Sequence, residues 1–271
     1  MASPHERRRG RNPLPLRWYR ALRTYAHVLA GVGTTMFVFP FVSAARKRAI
    51  VKRWSARLLR ILNVRAHVSG ELGSASGNVL LVANHISWLD IFVLNAHLPV
   101  RFVAKSELAR WPVVSRMIRG AGTVFIERER RRDTHRVNKD MADVLANGDV
   151  VAIFPEGTTS HGHEVLPFKS SLLQPIIEAE GHLQPVAIRY RTPDGEIAMA
   201  PTYVGDTSFA ESFFAVCAER ALRVELTACP ALPARGAHRR SLASAAEGAI
   251  RTALAGSARA TAPGIRADRA A

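Results

Sequence analysis

Cysteine is nearly missing. Only Cys217 and Cys229 occur in 271 residues, neither with a histidine or second cysteine at zinc-ligand spacing, which argues against a disulfide framework and against a metal site. Acidic residues are also short. Twenty-two Asp and Glu stand against 38 Lys and Arg, a formal charge of +16, which points to a polyanionic partner, either an anionic membrane surface or nucleic acid. The basic residues gather in the tails, around one apolar run and near Arg128 to Arg136, with no nucleic-acid motif beside them. An anionic membrane surface is therefore expected as a partner, and nucleic acid is not. No repeat is visible, and there is no Gly-x-Ser-x-Gly elbow to supply a serine nucleophile. What remains is substantial: 48% hydrophobic content over this length is enough for one main folded core.

The uncharged run "TYAHVLAGVGTTMFVFPFVSAA", Thr24 to Ala45, is about long enough to cross a bilayer, although His27, its glycines and Pro40 weaken it. It lies too late in the chain, and without a cleavage signature, to be a secretion signal. Seven basic residues precede it from Arg7 to Arg23 and seven follow from Arg46 to Arg60, so the positive-inside rule gives no orientation. Equal flanks suit a helix or helical hairpin that dips into one leaflet with both ends on the cytoplasmic side. A single span is the alternative. The next stretch, "AIVKRWSARLLRIL" from Ala49 to Leu62, has the spacing of a basic amphipathic helix. Its apolar face could lie on a membrane, or pack on the domain like that of any surface helix.

After Val64, short apolar runs alternate with helical segments, the signature of an α/β fold. Strands are expected at Arg65–Val68, Val79–Val82, Phe102–Ala104, Thr123–Ile126, Val150–Phe154, Pro185–Tyr190 and Arg223–Thr227. Helices are expected at Glu107–Arg119, Arg132–Leu145 and Ser171–Glu180, the last kinked or shifted by Pro175. The expected organisation is a basic mobile tail over 1–22, a membrane-associated helical segment over 23–62, a catalytic domain over 63–235, and a C-terminal helix and mobile tail over 236–271. The sheet should be central, mostly parallel and flanked by helices.

In "LVANHISWLDIFVL", Leu81 to Leu94, a buried-type strand turns into a helix with His85 and Asp90 five residues apart. With so many histidines the spacing arises by chance about 0.3 times in a chain like this, so its position carries more weight than its occurrence. Strand ends are where α/β sheets hold ligands. A carboxylate that fixes the imidazole tautomer leaves the other ring nitrogen free to take a proton from a hydroxyl. The alternative is a capping aspartate beside a histidine in a polar turn. Without a protein nucleophile, direct attack by a substrate hydroxyl is expected, which favours a transferase over a covalent hydrolase.

Three further stretches are of interest. In "GTVFIERE", Gly122 opens an expected strand that ends at Arg128, a fixed cation suited to a phosphate or carboxylate, or else a plain surface arginine. In "FPEGTTS", Gly157 allows close backbone approach and Thr158 with its neighbouring amides can bind an oxyanion, while a plain turn would not explain Glu156. In "LQPVAIRY", Pro185 sits near the start of a strand that reads most simply as core.

"NHISWLD", "GTVFIER", "FPEGTTS" and "QPVAI", in this order, resemble the four sequence blocks of the glycerolipid acyltransferases, whose bacterial type is 1-acylglycerol-3-phosphate acyltransferase. The resemblance covers about Val79 to Ile188, and "LPFKSS" at Leu166 to Ser171 also looks like the family. It implies that His85 is the general base and Asp90 its orienting partner. It places Gly122 and Arg128 in a phosphate-binding block and Glu156, Gly157 and Thr158 in a second acceptor-binding block. Pro185 falls in the block linked to the acyl donor and the site's structure. It also implies a membrane anchor, a lysolipid acceptor, and acyl-coenzyme A or acyl carrier protein as co-substrate, with no cofactor. The enzyme would sit on the inner (cytoplasmic) membrane with its catalytic domain facing the cytoplasm. One departure stands out, because Thr159 occupies a position where the family commonly has arginine. Together with "VAKSELARWP" it resembles the branch that acylates lyso-ornithine lipids, and Lys105 with Arg128 could hold either a phosphate or a carboxylate. A rival from another class is a basic membrane- or nucleic-acid-binding protein without catalysis.

Overall fold

The structure, a computed structural model, describes residues 11–75, 77–105, 124–126, 138–139, 141–145 and 148–259. Among these, eight strands form one sheet: β1 (Val64–Ser69), β2 (Val79–Ala83), β3 (Arg101–Lys105), β4 (Val124–Ile126), β5 (Val151–Ile153), β6 (His182–Arg191), β7 (Leu222–Ala228) and β8 (Leu232–Pro233). The order is β1-β7-β6-β2-β5-β3-β4, with β8 on the first residues of β6. From β6 to β4 every pair is parallel, and β1 is parallel to β7. The β6–β7 and β6–β8 pairs are antiparallel, so the sheet is mostly parallel, as expected.

Strand β2 shows why the sheet is central. All five of its residues are buried, and a continuous apolar run is what a strand covered on both faces requires. Val79, Leu81 and Ala83 point into one core cluster, Leu80 and Val82 into another, following the two-residue period of a strand. The first face is covered by α2 (Ala44–Ile61), α3 (Asp90–His97) and α5 (Phe209–Ala218). The second is covered by α4 (Gln174–Glu178), α6 (Arg239–Arg259) and a helical stretch at 141–145.

Pro185 lies where β6 exchanges one neighbour for another. β8 pairs with His182 and Leu183, β7 with Val186 onward, and the Pro185 carbonyl accepts from the Cys229 amide at 2.9 Å. Its missing N–H faces the same side, at the gap between two ladders, where proline removes least.

Several expectations change. The helix α1 runs Leu14–Phe37, so it starts inside the segment expected as a tail, and the boundary at 22 falls within it. Pro40 sits in a 3₁₀ turn, Phe39–Phe41, so the uncharged run from Thr24 is one helix end plus a turn. No described helix is long and apolar enough to cross a membrane. The apolar face of α2 does not face outward: Leu58, Leu59 and Leu62 are buried in the main core, and Trp54 packs on Phe92 of α3 with ring centroids 5.7 Å apart. Pro175 shifts the start of its helix, leaving a 3₁₀ turn at Ser170–Leu173 before α4. The helix expected at Glu107–Arg119 and most of Arg132–Leu145 lie outside the described residues.

Instead, α1 carries the exposed apolar face. Leu14, Trp18, Leu22, Tyr25, Leu29 and Met36 are all exposed and share one side at helical spacing. The opposite line, Arg20, Thr24 and Gly31, is buried. The Arg20 guanidinium donates to the carbonyls of Glu219 at 2.6 Å and Arg220 at 3.2 Å, just past the end of α5. The Asn12 side-chain amide donates to Cys217 and Glu219 carbonyls. Orphan carbonyls at a helix C-terminus favour a cation, and this pairing fastens α1 to the domain.

Candidate active site

At the end of β2 the Asn84 side chain continues the sheet. Its amide donates to the Ile188 carbonyl at 3.0 Å and its oxygen accepts from the Ile188 amide at 2.8 Å. His85 follows at the strand terminus, and the loop 86–89 curls round the carboxylate that opens α3. Asp90 Oδ2 accepts from His85 Nδ1 at 2.8 Å, the Ile86 amide at 2.8 Å and the Ser87 amide at 2.9 Å. Oδ1 accepts from the Tyr190 hydroxyl at 2.7 Å. The Asp90 side chain is 0% exposed and that of His85 20%. A buried carboxylate must find donors for its acceptor sites, and these four groups supply them. With the carboxylate accepting at Nδ1, the network assigns the proton there and leaves Nε2 as the acceptor.

The loop after β5 braces this turn. Phe154 stacks on the His85 imidazole with centroids 4.0 Å apart and 11° between planes. Glu156 Oε1 accepts from the His85 amide at 3.0 Å, while the Ser160 amide donates to the His85 carbonyl at 2.8 Å. Gly162, at φ 76°, lies where a Cβ would come within 2.8 Å of Ile86. Gly157 also has a left-handed φ, 77°, which glycine adopts without a steric penalty. Thr158 is exposed. The Thr159 hydroxyl donates to the Tyr203 carbonyl, and the Tyr203 amide donates to the Ile86 carbonyl at 3.2 Å.

Glu156, expected in the acceptor-binding block, is 3% exposed, and its Oε1 meets the amide of the histidine itself. Its second oxygen is buried as well. Burial pushes its pKa up to about 7, against the hydrogen bonds from the His85 and Leu166 backbone amides, with the Asp90 charge adding to the rise. Of the other expected residues, Lys105 ends β3 and Pro185 lies opposite Val82, three residues before His85. Gly122 and Arg128 lie outside the described residues. Among the described residues no three His, Cys, Asp or Glu side chains converge to hold a metal ion.

Tyr190, Phe154 and Ser160 escaped the sequence reading. Tyr190 closes the quoted stretch "LQPVAIRY", and a buried tyrosine hydroxyl needs a partner, so its place at the end of a core strand was the available signal. Burial and the Asp90 charge raise its pKa well above the ordinary value, which keeps it a hydrogen-bond donor. Ser87, the nearest hydroxyl in sequence, is buried and accepts from the Leu89 amide, so it belongs to the turn.

An aromatic ridge leaves this turn. Trp88 packs edge-on against Phe209 at 5.3 Å, Phe209 and Phe213 stack, Phe213 meets Phe214, and Phe214 meets Trp18 of α1 at 5.3 Å. The histidine turn is thus joined by exposed and half-buried rings to the apolar face of α1.

A hydrogen-bonded imidazole with one nitrogen free, at a strand end beside an apolar ridge, suits removal of a proton from an amphiphile's hydroxyl. Comparison with known proteins agrees with that chemistry. The Acyltransferase family model matches residues 65–189. The chain is 34% identical to the 1-acyl-sn-glycerol-3-phosphate acyltransferase of Neisseria meningitidis over 212 residues, covering 78% of this chain and 82% of that one. It is 36% identical to the lyso-ornithine lipid O-acyltransferase of Pseudomonas aeruginosa, covering 80% and 82%. The crystal structure of the 1-acyl-sn-glycerophosphate acyltransferase PlsC from Thermotoga maritima has the same fold, with TM-score 0.71 at 20% identity over 93% of this chain and 98% of that one. With four ordered motifs, a matching sheet and relatives aligned over most of their length, the chain belongs to the 1-acylglycerol-3-phosphate acyltransferase family and is an acyltransferase.

Proposed function

We propose that this enzyme moves a fatty acyl group from a thioester, on coenzyme A or acyl carrier protein, to the free hydroxyl of a lysolipid at the cytoplasmic membrane, and that the acceptor is 1-acylglycerol-3-phosphate, giving phosphatidate. The observation that carries the reading is the buried, four-fold hydrogen-bonded Asp90 holding Nδ1 of a part-exposed His85.

His85 Nε2 takes the proton as the lipid hydroxyl attacks the thioester carbonyl. The tetrahedral adduct collapses, the C–S bond breaks, and the imidazolium returns the proton to the departing thiolate, so no acyl-enzyme forms and no cofactor is consumed. Phe154, stacked on the ring, favours the transient imidazolium through its π face. General base catalysis supplies roughly 10²–10⁴-fold, so alignment of two bound substrates supplies much of the rest. The exposed face of α1 and the ridge to Trp88 support entry of the acceptor from a membrane leaflet, with α1 lying in the interface. On chemical type Arg128, with Lys105, Gly157 and Thr158, serves the acceptor headgroup. Arg128→Ala should then raise the acceptor KM more than the donor KM.

One observation favours a lyso-ornithine lipid as acceptor instead. Position 159 holds a threonine whose hydroxyl is tied to the Tyr203 carbonyl, so it offers no cation to a phosphate. Labelled transfer by the purified protein to lysophosphatidate and lyso-ornithine lipid, in parallel from both thioester carriers, decides between them. Transfer to lysophosphatidate supports the reading, transfer only to lyso-ornithine lipid replaces the acceptor, and transfer to neither contradicts both.

A further inference from the structure

A cleft of about 290 Å³ lies between α1 and α2, lined by Arg23, Arg57, Arg60 and Ile61. Ile61 is buried, and the three arginines are exposed. It is made wholly by the N-terminal helices and includes none of the residues round His85. Among the described residues no carboxylate forms an ion pair with any of the three. Like charges gathered this way repel one another unless an anion neutralises them. The positive field is felt nearby: His27 has its pKa lowered by burial first, and Arg57 lowers it further.

The setting indicates the kind of anion. At about 3.6 residues per turn, Arg23 lies on the flank of α1 between the buried line Arg20, Thr24, Gly31 and the exposed apolar face. Its guanidinium covers the exposed Tyr19 ring at 5.4 Å from the centroid. The cleft therefore presents guanidinium forks, which match phosphate oxygens in pairs, beside a surface suited to acyl chains. A free anion would use only the first of these features.

We propose that Arg23, Arg57 and Arg60 bind the phosphate of an anionic membrane lipid, at a site separate from the acceptor site, with that lipid's chains along the exposed face of α1. This rests on the reading that α1 lies in the membrane interface. A lipid held there keeps α1 and the aromatic ridge at the depth of the bilayer surface.

The test uses the full chain and phosphate-free galactolipid vesicles carrying either phosphatidylglycerol or oleate at matched charge. Sedimentation is measured for the wild type, for Arg23→Ala/Arg57→Ala/Arg60→Ala, and for Arg46→Ala/Lys52→Ala/Arg53→Ala, which removes the same charge from outside the cleft. The wild type should prefer phosphatidylglycerol over oleate by about tenfold, the scale of one charge-assisted hydrogen bond. The cleft variant should lose that preference and the control variant should keep it. Equal preference in the two variants overturns the site. Loss of the wild-type preference in millimolar inorganic phosphate assigns the cleft to free phosphate and overturns the lipid. A cleft variant that keeps the preference but no longer accepts acyl groups from acyl carrier protein assigns the arginines to an acidic protein, which also overturns it. A wild type that sediments with neither vesicle overturns the membrane reading and this site with it.

Discussion

At the residue scale, the site depends on how many groups converge on one carboxylate. Asp90→Asn offers one oxygen where several donors now point, and it no longer favours the Nδ1–H tautomer. Steady-state kinetics should show kcat down by about 10²-fold or more with little change in KM; a change confined to KM would remove Asp90 from the chemistry. Tyr190→Phe leaves Oδ1 without its donor. It should cost about 1–3 kcal/mol in chemical unfolding and lower kcat at constant acceptor KM, whereas a purely structural tyrosine would lower stability alone. Glu156 gives a pH signature. Its folded pKa, about 7, lies above the ordinary glutamate value of 4.5, so its contribution to stability is full below about pH 4.5 and is lost progressively as pH rises from there through 7. Glu156→Gln keeps an acceptor for the His85 amide and does not titrate. Between pH 5 and 8 the wild type should lose on the order of 3 kcal/mol relative to this variant, and parallel stability curves would mean that Glu156 is not strained by burial. The pair His85 and Asp90 was legible because both lie in one short stretch at a strand end. Tyr190 lies 100 residues further along, and no local pattern links a strand's last tyrosine to a distant carboxylate.

At the element scale, the sheet was legible because its central strands are buried on both faces and read as apolar runs. Strand β8, of two residues, is too short for any period to show. The start of α1 is not legible in the sequence because its charged residues mark the limit of the apolar run. Arg20 looked like a flanking cation, yet it is a buried residue whose guanidinium is satisfied by carbonyls past α5. The face of α2 could not be assigned from its spacing, since an amphipathic helix has the same pattern whether it covers a core or a bilayer. Arg20→Met keeps much of the side chain's bulk and removes its donors. It should lower stability by about 1–3 kcal/mol and open α1 to limited proteolysis ahead of the catalytic domain, and unchanged cleavage would mean that α1 is held by other contacts. A truncation that removes α1 must stop before α2, because Leu58, Leu59 and Leu62 belong to the main core.

At the scale of the whole molecule, one side of the N-terminal helix, the aromatic ridge and the histidine turn form a continuous path, and the charge of +16 suits an anionic bilayer surface. Leu22→Glu/Tyr25→Glu/Leu29→Glu alters only exposed positions of α1. It should release the chain from anionic vesicles while leaving transfer to a detergent-dispersed lysolipid, and retention on vesicles would place the membrane contact elsewhere. In the proposed function, His85, held by Asp90, is the base for direct acyl transfer to a lysolipid hydroxyl. The most direct measurement is labelled acyl transfer from acyl-coenzyme A or acyl carrier protein to a lysolipid by the wild type and by His85→Ala, each shown folded by its unfolding midpoint. Product is expected from the wild type and none above background from His85→Ala; turnover by a folded His85→Ala near the wild-type rate would rule out His85 as the base.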